Sequence, residues 1–373
     1  LPFVLQGFVA FYDPPKANIR SVFEQFYQAG IAVKIITGDN AVTTKAIAGQ
    51  AGLANAAIAM DGKELLQLPD AEMHQKLKTV NIFTRMYPDA KLAVINALKK
   101  QQEIVAMTGD GVNDGPALKA ANIGIAMGKK GTEIAKEAAA LIIADDDLSR
   151  MADAVAMGRR IYSNLKKAVQ YIVSIHIPII LTVSLPLLLG WEYPAIFTPA
   201  HVIFLELIMG PTCSIVYENE PMEKNAMLVP PRPLGSTFLS FREMSMSIIQ
   251  GLMITAGVLF IYKLAVYNGS DEATTRTYVF CTLVFANILL TLVNRSFYYS
   301  FITEMKNRNT LMIVVLSFTV LMLAAIMYIS PIASFFRIVQ LPLQSLLVCM
   351  AVAGISVLWF ELWKWRKRAI ASR

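Results

Sequence analysis

Short apolar runs alternate with amphipathic segments along residues 1–150, whereas residues 169–373 carry long apolar stretches. In the first region, the runs Val4–Ala10, Ala32–Thr37, Ile82–Arg85, Ile104–Thr108, Ile123–Ala126 and Ala140–Ile143 predict strands. The segments Ala17–Ala29, Thr43–Ala51, Asp89–Lys100, Gly115–Ala120 and Gly131–Ala138 predict helices. Such alternation implies βαβ units around a parallel, doubly wound sheet, with its chemistry at the carboxyl ends of the strands. In the second region, Val169–Leu189, Pro199–Val216, Met244–Val266, Tyr278–Val293, Thr310–Ile329 and Leu341–Trp363 approach the roughly 20 residues a helix needs to cross a bilayer. The fourth is short and extends into its flanks. The expected organisation is an α/β domain over 1–150, a stalk helix over 151–168 and an all-α bundle of six membrane helices over 169–373.

Composition sharpens this division. Hydrophobic residues make up 55% and charged residues 16% of the 373; soluble domains carry about 25% charged residues. Disorder and an ordinary soluble protein are both excluded. The net charge of +7 is not concentrated in a basic block, so no nucleic-acid partner is expected. Cys213, Cys281 and Cys349 stand apart in apolar stretches and suggest neither a disulfide framework nor a zinc site. Loop cations orient the bundle. Lys224, Arg232 and Arg242, then Arg295, Lys306 and Arg308, then Lys364, Arg366, Lys367, Arg368 and Arg373 flank alternate spans, while the other loops hold only Arg276 and Arg337. Cytoplasmic loops are the Lys/Arg-rich ones. Residues 1–168 and the C-terminus are therefore expected in the cytoplasm, in a multi-pass protein of a bacterial plasma membrane.

Three motifs sit at predicted strand ends. Thr37-Gly38-Asp39-Asn40 follows an apolar strand, where a hydroxyl and turn N–H groups can hold a phosphoryl oxygen. Tyr87-Pro88-Asp89-Ala90-Lys91 opens a helix with a lysine able to act as a point charge on phosphate. Thr108-Gly109-Asp110-Gly111-Val112-Asn113-Asp114-Gly115-Pro116-Ala117-Leu118 places two carboxylates four residues apart after a strand, hard ligands suited to Mg²⁺. Gly115-Pro116 then opens a helix whose N-terminus favours anions.

The last motif resembles the hinge signature of P-type ATPases, pumps of the haloacid dehalogenase superfamily. Thr37-Gly38-Asp39, Lys91 and Asp110/Asp114 follow the order of that superfamily's second to fourth motifs, and Asp13-Pro14-Pro15-Lys16 resembles the segment returning from the nucleotide domain. Gly131-Thr132-Glu133-Ile134-Ala135-Lys136-Glu137-Ala138-Ala139 is similar to a further family helix, and the six spans resemble the last six of a ten-helix type II cation pump, calcium pumps included. The resemblance implies that Asp110 coordinates Mg²⁺, with Asp114 supporting that site. It implies that Thr37 and Asn113 hydrogen-bond the phosphoryl group, that Lys91 pairs with its charge, and that Gly38 and Asp39 lie beside them toward bound ATP. The family's nucleophile is an aspartate in D-K-T-G-T, and that string does not occur here. The chain thus resembles the C-terminal part of a pump. The nucleophile strand, nucleotide and actuator domains and first four helices would belong to a missing N-terminal half, its partner in the intact protein. The α/β domain is then incomplete, with one central sheet position empty, and the chain alone is expected to fold poorly and to form no phosphoenzyme.

The transported ion is less legible. Ionisable groups inside spans are costly and mark ion pathways. Glu206, in Leu205-Glu206-Leu207-Ile208-Met209-Gly210-Pro211, is the leading candidate, because Gly and Pro can unwind a helix and free carbonyls for coordination. Set against the calcium-pump pattern N-x-x-[TM]-D, Glu206 falls on the Asn, Met209 on the Thr/Met, and Gly210 where the Asp is expected. Ile179 occupies the position of a liganding Glu in the preceding helix, His176 lies nearby, and Asn287 falls close to an acid of a later helix. Ca²⁺ takes six to eight oxygens, so one divalent ion per cycle fits this set better than two. Mn²⁺, Mg²⁺, Na⁺ or H⁺ are alternative cargoes. A membrane-tethered phosphatase of the same superfamily is the alternative activity.

Overall fold

The computed structural model describes residues 6–7, 14–307 and 309–371, and it divides into two compact units. Unit 1 comprises residues 1–158 together with 224–236, and unit 2 comprises 159–223 and 237–373. Of the strand expected over Val4–Ala10 only residues 6–7 are described; the rest of it, and the Asp13 of the Asp13-Pro14-Pro15-Lys16 motif, lie outside the described residues.

In unit 1 the order is α1 (Ile19–Gln28), β1 (Ile35–Ile36), α2 (Ala41–Gln50), β2 (Ala59–Asp61), α3 (Gly62–Leu66), α4 (Asp70–Thr79), β3 (Ile82–Thr84) and α5 (Pro88–Lys100). Then follow β4 (Ala106–Gly109), α6 (Gly115–Ala120), β5 (Ile123–Met127), α7 (Glu133–Ala138), β6 (Leu141–Ile143) and the start of α8 (Ser149–Leu188). All pairings are parallel, as helix crossovers require. The strands form two three-stranded sheets, β1-β3-β2 and β4-β5-β6, rather than one. Among the described residues β1 and β4 are edge strands, and the single sheet expected from the alternation is seen as two.

The sheets are joined through α5. Its Ala90 and Val94 enter the cluster around Phe83, Leu65 and Leu77, while Ile95 enters the one around Val105, Met107 and Leu118. Helical periodicity puts these residues on adjacent faces, so one helix serves both cores. The 224–236 segment packs back on the end of α1. A Cβ built at Gly30, which has φ +73°, would lie 2.9 Å from Cδ of Pro231 and 3.1 Å from Cα of Pro230. Both the left-handed backbone and the closeness of the prolines favour glycine there.

Unit 2 is helical. Six helices among the described residues are long and apolar enough to cross a membrane. They are α8, α9 (Pro199–Pro211) with the π-helical turn 212–216, α10 (Phe241–Tyr267), α11 (Glu272–Val293), α13 (Thr310–Tyr328) and α15 (Leu343–Ala371). Short helices α12 (Phe301–Glu304) and α14 (Ser330–Phe336) lie in the connections. The expected stalk and first span form one continuous helix. The short fourth stretch gains its first turn from Asp271, whose side chain caps α11 through the Thr274 N–H. α11 is the most enclosed span, packed against α10 and α15 around Phe280, Val284 and Phe360.

Three cations expected in loops or the tail, Arg276, Arg295 and Lys364, are buried instead. Arg295 and Glu220 are each 1% exposed and paired at 2.6 Å. Nε of Arg295 also donates to the carboxylate at 2.8 Å, and the amide of Asn309 donates to its other oxygen at 2.9 Å. Arg160 and Asn164 of α8 donate to the Glu220 carbonyl at 2.9 and 2.7 Å. Lys364, fully buried, donates to the Val293 carbonyl at 2.6 Å and to Glu361 at 2.7 Å. Charge of this kind is retained inside a protein only when paired and hydrogen-bonded.

Candidate functional site

Two loops carry the phosphate-type motifs, and backbone hydrogen bonds place both at strand carboxyl ends. Thr37 follows β1. Its N–H donates to the Phe83 carbonyl at 2.9 Å and its carbonyl accepts from Met86 at 2.9 Å, so the turn is fastened to the end of β3. The Asp39 carbonyl accepts from Arg85 at 3.0 Å. The Thr37 hydroxyl accepts the Asp39 N–H at 3.1 Å, leaving its proton available to a ligand. Gly38 and Asp39 are exposed, and Asn40 caps α2 by accepting from Val42 and Thr43.

The second loop follows β4. Asp114 is buried within a 3₁₀ turn, and Lys91 of α5 donates to its Oδ1 at 2.6 Å. The two side chains are 12% and 10% exposed, so solvent screens this pair little. The other oxygen of Asp114 accepts the Gly111 N–H at 3.3 Å. Gly109 makes the arrangement possible, since a Cβ there would stand 2.6 Å from Cβ of Asp114. Asp110 and Asn113 are exposed. The Asp110 carbonyl accepts the Thr132 N–H at 2.8 Å, and the Thr132 hydroxyl caps α7. Thr132 thereby steadies the loop from the third family-like segment. An N-cap threonine followed by Glu133 is the sequence signal for it.

The structure thus brings Lys91 and Asp114 into direct contact, and it places Thr37 at the head of the strand pair that α5 follows. Lys91, expected to pair with a phosphoryl group, rests on Asp114.

The candidate ion residues separate into two places. Nε2 of His176 lies 3.3 Å from Oε1 of Glu206, and its Nδ1 lies 2.8 Å from the Ile172 carbonyl. Their side chains are 39% and 51% exposed, so the pair sits on the surface of the described bundle. Met209 is buried in the core. Asn287, two turns from the end of α11, is buried and accepts from the Tyr171 hydroxyl. Gly210-Pro211 does not unwind the chain as expected. α9 passes into a π-helical turn, and hydroxyls of Thr212 and Ser214 donate to the Ile208 and Gly210 carbonyls at 3.2 and 2.8 Å. Both are i to i−4 bonds from a side-chain hydroxyl back to its own helix, while the carbonyl that Pro211 leaves without a helical donor is that of Leu207. Ile179 is buried among apolar neighbours, in keeping with a position that ligates nothing.

Comparison with known proteins agrees with both halves. Residues 4–122 match the haloacid dehalogenase-like hydrolases, and residues 194–366 match the family described as cation transporting ATPase, C-terminus. A calcium-transporting ATPase of Listeria monocytogenes is 34% identical over 294 residues, covering 79% of this chain and 33% of the relative. The human calcium-transporting ATPase type 2C member 2 is 32% identical over 365 residues, covering 96% and 38%. Calcium-transporting ATPase 1 of Schizosaccharomyces pombe is 29% identical over 374 residues, covering 98% and 41%. The chain spans between a third and about two fifths of the length of these relatives. With a dehalogenase-like domain of parallel strands leading into six membrane-length helices, it belongs to the P-type cation-transporting ATPases.

Proposed function

We propose that this chain serves ATP-driven cation transport through an aspartyl-phosphate intermediate, with Ca²⁺ or a related divalent cation as cargo. The observation that carries this reading is the Lys91–Asp114 pair beside Asp110, held at strand ends in a chain that also supplies six membrane-length helices. The calcium-transporting relatives support the choice of ion.

Mg²⁺ takes one or two carboxylates and completes its shell with phosphate oxygens and water. The exposed carboxylate of Asp110, beside Asp114, fits that demand; among the described residues no cluster of three His, Cys, Asp or Glu offers an all-protein site. Asp110 would hold the ion and Asp114 would support it. Bound there, Mg²⁺ neutralises charge on the transferred phosphoryl group. Thr37 and Asn113 would donate hydrogen bonds to that group, and Lys91 would turn part of its charge from Asp114 toward it. Gly38 leaves the turn open, and Asp39 would face the nucleotide.

We place the nucleophile strand between the edges of β1 and β4, on polypeptide outside these 373 residues. D-K-T-G-T is absent from the sequence, and the open edges support the placement. Residues 1–150 would then be the C-terminal part of a phosphorylation domain and 151–168 its stalk. Residues 169–373 would be the last six membrane helices of a bacterial pump with cytoplasmic unit 1. Further helices would cover the exposed side of Glu206, which would bind the cation beside His176, while Met209 and Asn287 would be candidates at the second, buried place.

The test uses the longer protein in vesicles: ATP-dependent formation of an acid-stable, hydroxylamine-labile phosphoenzyme, measured against a cation panel with Ca²⁺ buffered at low concentration. Ca²⁺-dependent labelling is expected. No labelling with any cation refutes the pump; labelling with another cation alone refutes the calcium assignment.

A further inference from the structure

The end of α15 carries four cations and one acid over residues 361–371. The inward face is internally satisfied: Lys364 pairs with Glu361, and Arg368 donates to the Tyr298 carbonyl at 2.7 Å. Arg366 and Lys367 are exposed and have no carboxylate within ion-pair distance among the described residues. Leu362, Trp365, Arg366 and Ile370 fall on one helical face, and all four are exposed. Lys367 is held beside them, its ammonium 5.3 Å from the centre of the Trp363 ring, which itself stacks on Phe360 at 5.1 Å. Cation–π contact and stacking both restrict the lysine.

Apolar side chains interleaved with unpaired cations, at the end of a membrane helix, match a surface with acyl chains below and anionic oxygens above. We infer that this face binds the headgroup of an anionic phospholipid, with Arg366 and Lys367 on the phosphate and Leu362, Trp365 and Ile370 against the upper acyl chains. Charge complementarity singles out that occupant. A zwitterionic lipid would set its own ammonium beside the cations, and a free phosphate would leave the apolar residues uncovered.

The longer protein is placed in vesicles containing either brominated phosphatidylglycerol or brominated phosphatidylcholine, and bromine quenching of tryptophan fluorescence is measured. Comparison with Trp365→Phe isolates the signal of Trp365. A preference for the anionic lipid of about fivefold per cation is expected. It should vanish in Arg366→Gln/Lys367→Gln and shrink in high salt, which screens exposed charges without altering the protein. Equal quenching by the two lipids overturns the inference, as does a preference that survives the double substitution. Loss of the preference on adding inorganic phosphate, where sodium chloride of equal ionic strength leaves it in place, would also overturn it, marking the site as one for free phosphate.

Discussion

Replacing Glu220 by Gln keeps the shape of a buried side chain and removes its charge. The wild-type carboxylate meets the Arg295 guanidinium at 2.6 and 2.8 Å and the Asn309 amide at 2.9 Å. At an effective dielectric constant near 20, two unit charges about 2.7 Å apart attract by roughly 6 kcal/mol before desolvation is counted. Both groups are 1% exposed, so the substitution leaves a buried cation without its counter-charge. Removing one partner of such a pair costs about 3–5 kcal/mol. Arg295 has little in reserve: its Nη2 reaches the Asn307 carbonyl at 2.8 Å, and its buried Nη1 has no partner among the described residues. Thermal unfolding of the chain in detergent, followed by tryptophan fluorescence, should show a midpoint lower by roughly 6–12 °C. Adding Arg295→Met to Glu220→Gln removes the stranded charge, so the double variant should be more stable than Glu220→Gln alone. A midpoint within 2 °C of wild type, or a double variant losing the sum of the two single effects, would refute the reasoning.

Three further expectations concern the two candidate sites and the acid limb. Gly109→Ala drives a methyl group into Asp114 and should destabilise unit 1 by about 1–3 kcal/mol, as overpacking does; urea unfolding with an unchanged midpoint would contradict it. The backbone N–H groups of Lys129 and Lys130 bond the Asp146 carboxylate at 2.9 and 3.0 Å and hold its pKa below the ordinary value. A depressed folded pKa stabilises above the unfolded value, about 3.9, and that contribution disappears as pH falls through the folded pKa. Asp146→Asn should therefore flatten the loss of stability below about pH 4, and an unaltered acid limb would exclude this origin. In the longer protein, Glu206→Gln should weaken cation dependence while labelling from inorganic phosphate persists; unchanged cation affinity would remove Glu206 from the transport site.

Much of the fold was legible because its signals are local. Apolar runs announced six spans, and Gly115–Ala120 was read as a helix with the bounds observed. β2, α3 and α4 are not predicted by the sequence pattern, since the one apolar run in 54–79, Ala56-Ala57-Ile58-Ala59-Met60, is mostly alanine and gives a weak strand signal. Their Leu65 and Leu77 are nevertheless buried, by packing against α5 rather than by local pattern. Arg295 and Lys364 looked like loop cations because their partners are remote: Glu220 lies 75 residues from the first, and the Val293 carbonyl lies 71 from the second. The motif residues were visible as a set. The contact of Lys91 with Asp114 was not, because it depends on how α5 meets the turn after β4. The pairing of Glu206 with His176 was legible only as a possibility, since it needs α8 and α9 to align in depth.

The seat of Pro230 and Pro231 on Gly30 has a practical meaning for anyone dissecting the molecule. Unit 1 is discontinuous in sequence, so no single cut yields it whole. A truncation after Gly158 would strip thirteen residues from its surface and bare the end of α1, where the prolines had excluded water. Such a piece would be a damaged domain, and its solubility or stability would not measure that of the intact one. A faithful excision would have to carry 224–236 as well, added as a peptide or spliced back by a linker.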